Sequence, residues 1–262
     1  MLGIIGAMEN EVAGLKDMMR DVEIVTYAGM DYYHGFLEEK EVVVVQSGIG
    51  KVNAAICTQT LVDKFNISAI INIGVAVALR DETEIGDVVI STDAVEHDMN
   101  AMPLGYDRGI IPGMETSFFV ADDGLIELAK KSVNKNSDVT VFQGRVVSGD
   151  LFVEEQKIKE KLIAEFDGYC AEMEGGAIAH CACVNKVPFV VIRFISDKFE
   201  SGEEVEYSSY DAGVMEDSIR IIADMVKDYT PQQPVERRPQ ERKLKNKDIT
   251  YRVNYKNSKL SK

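Results

Sequence analysis

Residues 171–197 read AEMEGGAIAHCACVNKVPFVVIRFISD, and this stretch decides the fold. Apart from Arg193, residues 187–195 are almost wholly apolar, and a continuous run of Val, Ile and Phe predicts a buried parallel strand. The mostly small, apolar residues 174–184 before it predict a helix. A helix that leads into a buried parallel strand indicates the α/β class.

Ionisable groups frame this apolar segment: Glu172, Glu174, Arg193 and Asp197. Asp197 and the neighbouring Ser196 follow the predicted strand, and ligands of open α/β sheets bind at the carboxyl ends of strands. The alternative for Asp197 is that it caps the turn after the strand, as Asp often does. Because companion acids lie nearby in the sequence, we favour a functional site.

Strands and helices alternate along the chain up to residue 230. Apolar runs predict further strands at 2–6, 41–47, 68–74, 87–91 and 139–148, and helical periodicity predicts helices at 9–19, 51–65, from 122, 154–166 and 208–228. This alternation predicts one α/β domain over residues 1–230, with a mixed, mostly parallel central sheet flanked by helices. Residues 231–262 are predicted to form a C-terminal extension.

The distribution of charge changes at the same point. Residues 231–262 hold ten Lys and Arg against three Asp and Glu, while residues 1–230 hold 19 against 41, and the formal net charge is −15. An acidic body repels nucleic acid, so we expect no specific nucleic-acid partner. The basic, proline-containing extension is expected to be solvated and mobile, with a non-specific contact to a polyanion as the alternative.

Composition also argues against a membrane span, a disulfide scaffold and a metal site. No apolar run approaches the roughly 20 residues of a spanning helix, and the start lacks the pattern of a secretion signal. The four cysteines are few and the three histidines are isolated, so we expect reduced cysteines, no metal and no cofactor. The expected location is cytoplasmic.

Two glycine-containing segments look like nucleotide-binding loops but do not fit the motifs. Residues 47–51, SGIGK, lack the first glycine of the Walker motif and its final Ser or Thr. Residues 3–6, GIIG, lack the three-glycine dinucleotide fingerprint. We interpret both as tight turns between strand and helix whose backbone still contacts a ligand.

Eight segments form an ordered set of motifs: GIIGAMENEV (3–12), SGIGKVNAA (47–55), IGDVVIS (85–91), HDMNAMPLGY (97–106), IPG (111–113), VVSGDLFV (146–153), AEMEGGAIAH (171–180) and VPFVVIRFISD (187–197). In this order and spacing, over about residues 2–228, they resemble the 5′-methylthioadenosine/S-adenosylhomocysteine nucleosidases of the purine nucleoside phosphorylase superfamily. The resemblance implies a nucleoside phosphorylase-like fold and a cofactor-free homodimer. It also implies release of adenine from the two nucleosides.

The resemblance implies catalytic roles for three acids. Asp197 is similar to the family's general acid, which protonates N7 of adenine so that the base leaves neutral. Glu11 is similar to the residue that orients and deprotonates the attacking water, and Glu174, with Met173, to the clamp on the ribose hydroxyls. From residue type alone, Glu174 has the alternative of capping its helix. The alternative for Glu11 is a solvated helix face.

The resemblance also implies a binding site around the base and the sugar. Phe152 corresponds to the aromatic that stacks on adenine, and the backbone of Val153 to the group that reads its edge. Leu104 of the partner subunit is expected to close the 5′ end, where the small Ala101 loosens the fit. The other implied substrate-binding residues are Met8, Ile49, Ala76, Val77, Glu172, Arg193, Ser196 and Tyr207.

Hydrolysis fits these residue types. Cleaving an N-glycosidic bond builds positive charge on the ribose, which nearby carboxylates stabilise. Asp197 must be protonated when it acts, so we expect its pKa to be raised. Phosphorylase relatives carry a phosphate-binding Gly/Arg loop after the first strand, whereas residues 7–11 read AMENE. Water is therefore the expected nucleophile.

One departure from the family pattern concerns residues 74–78, GVAVA, where members usually carry Ser and small glycines. Val75 lacks a hydroxyl that would help to hold the water, and Val77 and Ala78 add bulk near the ligand. We expect slower turnover or an altered pocket. Two alternatives stay open: a nucleoside-binding or storage-type protein of the same fold, or a nucleosidase for a shifted substrate such as futalosine or 5′-deoxyadenosine.

Overall fold

Ten strands and six α-helices are present in the computed structural model, which describes residues 1–136, 139–198 and 212–231. The strands are β1 (Leu2–Gly6), β2 (Arg20–Tyr27), β3 (Met30–Leu37), β4 (Lys40–Gln46), β5 (Ala69–Ala78), β6 (Val88–Glu96), β7 (Phe118–Val120), β8 (Val141–Ser148), β9 (Gly168–Glu172) and β10 (Phe189–Asp197). The helices are α1 (Glu9–Met18), α2 (Lys51–Lys64), α3 (Asp123–Asn136), α4 (Gln156–Phe166), α5 (Gly175–Val184) and α6 (Ala212–Asp228). Tyr207, the predicted helix start at 208 and the extension from 232 lie outside the described residues.

Five of the strands close into a ring. β5, β10, β6, β8 and β9 pair in succession, and β9 pairs back onto β5. β1, β4, β3 and β2 continue the sheet from β5 as an open arm. Three of the ring pairings contain a register shift, and such irregularities bend strands enough to allow closure.

The structure confirms the α/β class and the mixed sheet. The sheet is not mostly parallel as expected: of the pairings among the described strands, five are parallel and five are antiparallel, because the unpredicted strands β2, β3, β7 and β9 add antiparallel pairings. The apolar runs are strands with shifted ends, since β5 continues to Ala78 and β10 continues to Asp197. Ser196 and Asp197 are thus the last two residues of the strand and do not follow it.

The sequence pattern does not predict β2, β3, β7 and β9, because β2, β3 and β9 lack a long continuous apolar run and β7, FFV, has only three residues. β2 lies at the edge of the sheet, and its first five residues are all exposed. β9 has only five residues, and pairing with β8 and β5 holds it in place. Neither strand needs the apolar run that a central parallel strand requires.

The topology gathers several strand ends on one side of the sheet. β1 runs parallel to both β4 and β5, and β10 runs parallel to β5. β9 runs back along the end of β5 with Ala171 opposite Val77, so Glu172 lies beside the C-terminal part of β5. Helices cover the sheet, with α2 packed on α5 and both α1 and α3 packed on α6. No helix in the described ranges combines the length and apolarity that crossing a bilayer requires.

Candidate active site

A buried ion pair lies at the centre of the site. The side chain of Arg193, in β10, is 1% exposed, and its Nη2 donates to Glu172 Oε2 at 2.5 Å and to Asn72 Oδ1 at 2.6 Å. Asn72 donates from Nδ2 to the carbonyl oxygen of Ile5, 2.9 Å away. Hydrogen bonds of this kind offset the loss of water around buried charges. They hold β1, β5, β10 and the end of β9 in one arrangement.

Glu172 also caps helix α5. Its Oε2 accepts the backbone N–H groups of Glu174 at 3.0 Å and Gly175 at 2.7 Å, and the hydroxyl of Ser148 donates to Oε1. N–H groups at a helix start have no partner within the helix, so a carboxylate there satisfies them. Burial acts to raise the pKa of Glu172, but Arg193, Ser148 and Gly175 together lower it. Glu172 is therefore an anion held by protein groups.

Glu11 lies in the first turn of α1, directly after β1, and is 3% exposed. Its Oε2 accepts the backbone N–H groups of Ala7 at 2.6 Å and Met8 at 2.9 Å, and its Oε1 accepts the N–H of Val75 at 3.2 Å. Burial raises the pKa of Glu11, while the charge of Arg193 and these hydrogen bonds act in the opposite direction. A buried carboxylate with a raised pKa is suited to accept a proton.

Gly74 allows Glu11 and Arg193 to approach the same point on β5. A Cβ atom added at Gly74 would lie 2.8 Å from Glu11 Oε1 and 3.0 Å from Arg193 Nη1. Any larger side chain there would push the acid and the guanidinium away from the strand. The glycine is needed for close approach and not for a turn.

Glu174 is the residue immediately before α5 and is 7% exposed. Its Oε1 accepts the backbone N–H of Gly50 at 2.8 Å, which connects the start of α5 to the loop between β4 and α2. Burial and the negative charge of Glu172 raise the pKa of Glu174 to about 7, although Arg193 acts to lower it. Folding therefore opposes ionisation of this carboxyl group.

We expect the Glu174→Gln variant to be more stable than the wild type above pH 7. Below pH 4.5 the carboxyl group is protonated in the folded and unfolded chains alike, so its ionisation does not affect stability. As the pH rises from 4.5 to about 7, the unfolded chain loses the proton first and the wild type loses stability, on the order of 3 kcal/mol in total. The amide retains an oxygen that accepts the Gly50 N–H.

Urea unfolding of both proteins at pH 5 and pH 8 measures this effect. The stability difference between variant and wild type is expected to be small at pH 5 and to favour the variant at pH 8. The exposed Glu154 provides a control, since Glu154→Gln makes the same chemical change on the surface of the protein. A variant that is less stable than the wild type at pH 8 would contradict the raised pKa.

Asp197 lies apart from the other acids, at the end of β10. It faces Val77 on β5, whereas Arg193 faces Gly74, and four residues of a strand span roughly 13 Å when fully extended. Its Oδ2 is buried and has no hydrogen-bond partner among the described residues. Burial raises the pKa of Asp197, and a backbone hydrogen bond from Lys198 acts to lower it. A partly buried carboxyl group of this kind is suited to donate a proton to a ligand.

The implied binding residues lie on loops and strand ends around these acids. Met8, Phe152, Met173 and Ser196 are half-buried, while Ala76, Val77 and Val153 are buried. Ser196 donates from Oγ to the carbonyl oxygen of Ala76 at 3.4 Å. Ile49 and Leu104 are exposed, and Tyr207 lies outside the described ranges.

The structure places the two valines of the unusual 74–78 segment differently. Val75 is half-buried, and its backbone N–H binds Glu11, a contact that does not depend on its side chain. The side chain of Val77 is buried in an apolar cluster that also contains Val153 and Leu79. Packing within the protein therefore takes up the volume of Val77.

Sequence reasoning missed Asn72 and the charged groups that hold the loops. Asn72 lies within the buried strand β5, whose other residues are apolar or glycine, and it is 1% exposed. A single amide in such a run is the signal that identifies it, because a buried polar group needs partners. Lys51, Glu96 and Asp98 form ion pairs that only the tertiary structure reveals.

Comparison with known proteins gives a consistent result. The family model described as Phosphorylase superfamily matches residues 1–230. The chain is 40% identical over 228 residues to the 5′-methylthioadenosine/S-adenosylhomocysteine nucleosidase of Staphylococcus carnosus (strain TM300), covering 87% of this chain and 99% of the relative.

Solved structures agree with this result. The corresponding nucleosidase of Neisseria meningitidis, in complex with methylthio-immucillin-A, superposes with a TM-score of 0.81 at 34% identity, covering 87% of this chain and 99% of that one. The native structure of Helicobacter pylori futalosine hydrolase gives a TM-score of 0.81 at 28% identity, covering 87% and 97%.

Proposed function

The chain belongs to the 5′-methylthioadenosine/S-adenosylhomocysteine nucleosidases of the phosphorylase superfamily and is an N-glycosidic hydrolase, and on this premise we propose that it releases adenine from both nucleosides. The observation that carries the proposal is the separation of the acids into two groups. Glu11, Glu172 and Glu174 surround Arg193, while Asp197 lies further along β10 with a buried oxygen that has no hydrogen-bond partner within the described part of the chain. We assign the acids around Arg193 to the ribose side of the substrate and Asp197 to the base side.

On the base side, Asp197 donates a proton to N7 of adenine. The proton allows the base to leave as a neutral group, and general acid catalysis of this kind contributes roughly 10²- to 10⁴-fold. The raised pKa of Asp197 supports this role, because it increases the protonated fraction near neutral pH. Phe152 and Val153, which follow β8, are proposed to stack on adenine and to read its edge.

On the sugar side, Glu11 takes a proton from the attacking water and Glu174 binds the ribose hydroxyls with Met173. Positive charge develops on the ribose as the bond breaks, so buried carboxylates there stabilise the transition state more than the ground state. Met8, Ile49 and Tyr207 are proposed to line the sugar and the 5′ arm. Ala76, Val77 and Ser196 are proposed as further substrate-binding residues beside Asp197. Arg193 and Glu172 hold the acids in place.

Water is the proposed nucleophile because acidic groups outnumber basic groups on the sugar side. Three carboxyl groups face one guanidinium there, and the residues after β1 supply no further cation. A phosphate dianion would be repelled by such a site. The lack of a hydroxyl at Val75 leads us to expect slower hydrolysis than in relatives that carry Ser.

Incubation of the purified chain with 5′-methylthioadenosine tests the proposal directly. Free adenine and methylthioribose should appear without added cofactor or phosphate, and S-adenosylhomocysteine should give adenine as well. Chromatographic detection of the base at high enzyme concentration is the measurement. Intact nucleoside after prolonged incubation would indicate the binding or storage alternative.

A second candidate substrate is futalosine, since the futalosine hydrolase of Helicobacter pylori shares the fold at 28% identity. Relative kcat/KM values for methylthioadenosine, S-adenosylhomocysteine, futalosine and 5′-deoxyadenosine decide between the candidates. A larger kcat/KM for futalosine than for methylthioadenosine would reassign the substrate and keep the reaction.

A homodimer is proposed because large apolar side chains are exposed beside the site. Val52 is 69% exposed, Ile56 is 43% exposed and Leu104 is 74% exposed, and the Lys51 to Asp98 ion pair brings the start of α2 near the segment that leads to Leu104. Leu104 of the partner subunit is proposed to close the 5′ end. Sedimentation should show two chains per particle, and a monomer at catalytic concentrations would refute this.

Residues 1–230 are proposed as the nucleosidase domain. The cytoplasmic location and a role in methionine salvage stay predictions.

A further inference from the structure

Two loops that belong to opposite sides of the site meet at a set of charged residues. One loop, residues 47–50, joins β4 to α2, and its Gly50 N–H binds Glu174 Oε1 at 2.8 Å. The other, residues 149–153, follows β8 and carries Phe152 and Val153. The proposed function assigns the first loop to the ribose and the second to the base, so their relative position sets the distance between the two halves of the substrate site.

Three hydrogen bonds join the loops in a closed ring. The backbone N–H of Lys51 donates to Asp150 Oδ1 at 2.7 Å, and the backbone N–H of Asp150 donates to Asp98 Oδ2 at 3.0 Å. Lys51 Nζ then donates to Asp98 Oδ1 at 2.6 Å, which returns to the starting residue. Each member of the ring contacts the other two.

Neighbouring residues hold this ring against the sheet. Lys51 Nζ also donates to Glu96 Oε2 at 3.1 Å, and Glu96 Oε1 lies 2.8 Å from His180 Nδ1. The imidazole of His180 stacks on the phenyl group of Phe119, with a distance of 4.7 Å between their centroids. The backbone N–H of His97 donates to the carbonyl of Ser148 at 2.9 Å, so the segment before Asp98 is fixed to the end of β8.

The Lys51 and Asp98 side chains of the ring, and the adjoining Glu96, are partly shielded from water, whereas Asp150 is exposed. The side chain of Lys51 is 17% exposed, that of Glu96 is 14% exposed and that of Asp98 is 30% exposed. Charge-assisted hydrogen bonds are stronger when partly buried than on the open surface. The contacts of the Lys51 ammonium group with Asp98 and Glu96 are therefore suited to fix geometry, which an exposed ion pair does poorly.

We propose that Lys51, Asp98 and Asp150 are positioning residues that lock the ribose-binding loop to the base-binding loop, so that a whole nucleoside is bound more tightly than its base alone. This role rests on the proposed function and adds residues that act through Glu174 and through the loop of Phe152. Loops that move slightly apart lose the optimal contacts to one half of a nucleoside, while the base-binding loop should still bind adenine alone.

The Asp98→Asn variant tests the ring with little change in volume. Two donors, Lys51 Nζ and the Asp150 N–H, face the two oxygens of Asp98, and an amide offers only one oxygen to them. We expect the KM for 5′-methylthioadenosine to rise about tenfold, with kcat and the inhibition constant of free adenine changed less than about threefold. Steady-state kinetics with adenine as a product inhibitor gives all three values.

A matched control variant and a rescue variant distinguish a positioning role of these residues from a general loss of protein stability. Asp228 pairs with Lys131 at a side-chain exposure of 33%, close to that of Asp98, so Asp228→Asn makes the same chemical change away from the site. It should leave KM unchanged. Lys51→Met should raise KM as Asp98→Asn does, and Lys51→Arg, which keeps the positive charge, should restore most of the loss.

Three results would overturn the proposal. They are an unchanged KM in Asp98→Asn, an equal weakening of nucleoside and adenine, and a fall in kcat alone together with a lower melting temperature. If the wild type releases no adenine, the proposed function fails independently. Calorimetric binding of methylthioadenosine and adenine to the same variants then decides whether the ring joins the two loops.

Discussion

The Asp197→Asn variant is expected to release adenine about 10²- to 10⁴-fold more slowly than the wild type. The amide has nearly the same shape as the protonated carboxyl group but does not supply a proton that N7 can accept in the transition state. Because the change is isosteric, the affinity for methylthioadenosine should stay within a few-fold. Single-turnover kinetics and calorimetry on the same preparation measure the two quantities separately.

A substrate with a different leaving group provides the control for this variant. A ribosyl substrate that expels a nitrophenolate needs no protonation of its leaving group, so Asp197→Asn should hydrolyse it at close to the wild-type rate. Equal losses on both substrates would mean that Asp197 acts through structure. Full activity of the variant on methylthioadenosine would remove Asp197 from the mechanism.

The Arg193→Met variant is expected to lose about 3 to 5 kcal/mol of folding free energy, because it removes a buried cation that faces Glu11, Glu172 and Glu174. Methionine fills part of the space, but it leaves the carboxyl groups buried without their counter-ion and Asn72 without its donor. For a domain of this size the melting temperature should fall by roughly 10 °C. Thermal unfolding followed by circular dichroism measures the change.

The pairing with Glu172 provides a test within the same experiment. In the double variant Glu172→Gln/Arg193→Met, the uncompensated charge beside the helix start is gone, so the total loss should be smaller than the sum of the single losses. The loss in Arg193→Met should also be smaller at pH 5, where the carboxyl groups are more fully protonated. Additive losses that do not depend on pH would show that Arg193 acts by packing alone.

The predictable part of the fold consists of strands that are buried on both faces. β1, β4, β5 and β10 appear in the sequence as runs of Val, Ile and Leu, because a central parallel strand contacts apolar neighbours on both sides. β2 and β9 are formed by pairing with neighbours and carry little apolar surface of their own. Local pattern therefore identifies the first kind of strand and misses the second.

The same distinction holds for the site. Glu11, Glu174, Arg193 and Asp197 stand out in the sequence because ionisable residues beside or within apolar segments need a reason to be there. Asn72 and the Lys51, Asp98 and Asp150 ring do not stand out, because charged and amide side chains are common and their partners lie far away in the chain. The hydrogen bond between Asp150 and Lys51, for example, spans 99 positions.

The sequence by itself determined the α/β class, the central strands and the identity of the acids, since burial requires particular residue types at particular spacings. Only the tertiary structure decided which acids share a cation, which pKa values burial raises and how the two loops are joined. Those properties depend on distances of a few ångströms between residues remote in sequence, and electrostatic and hydrogen-bond energies change steeply over such distances.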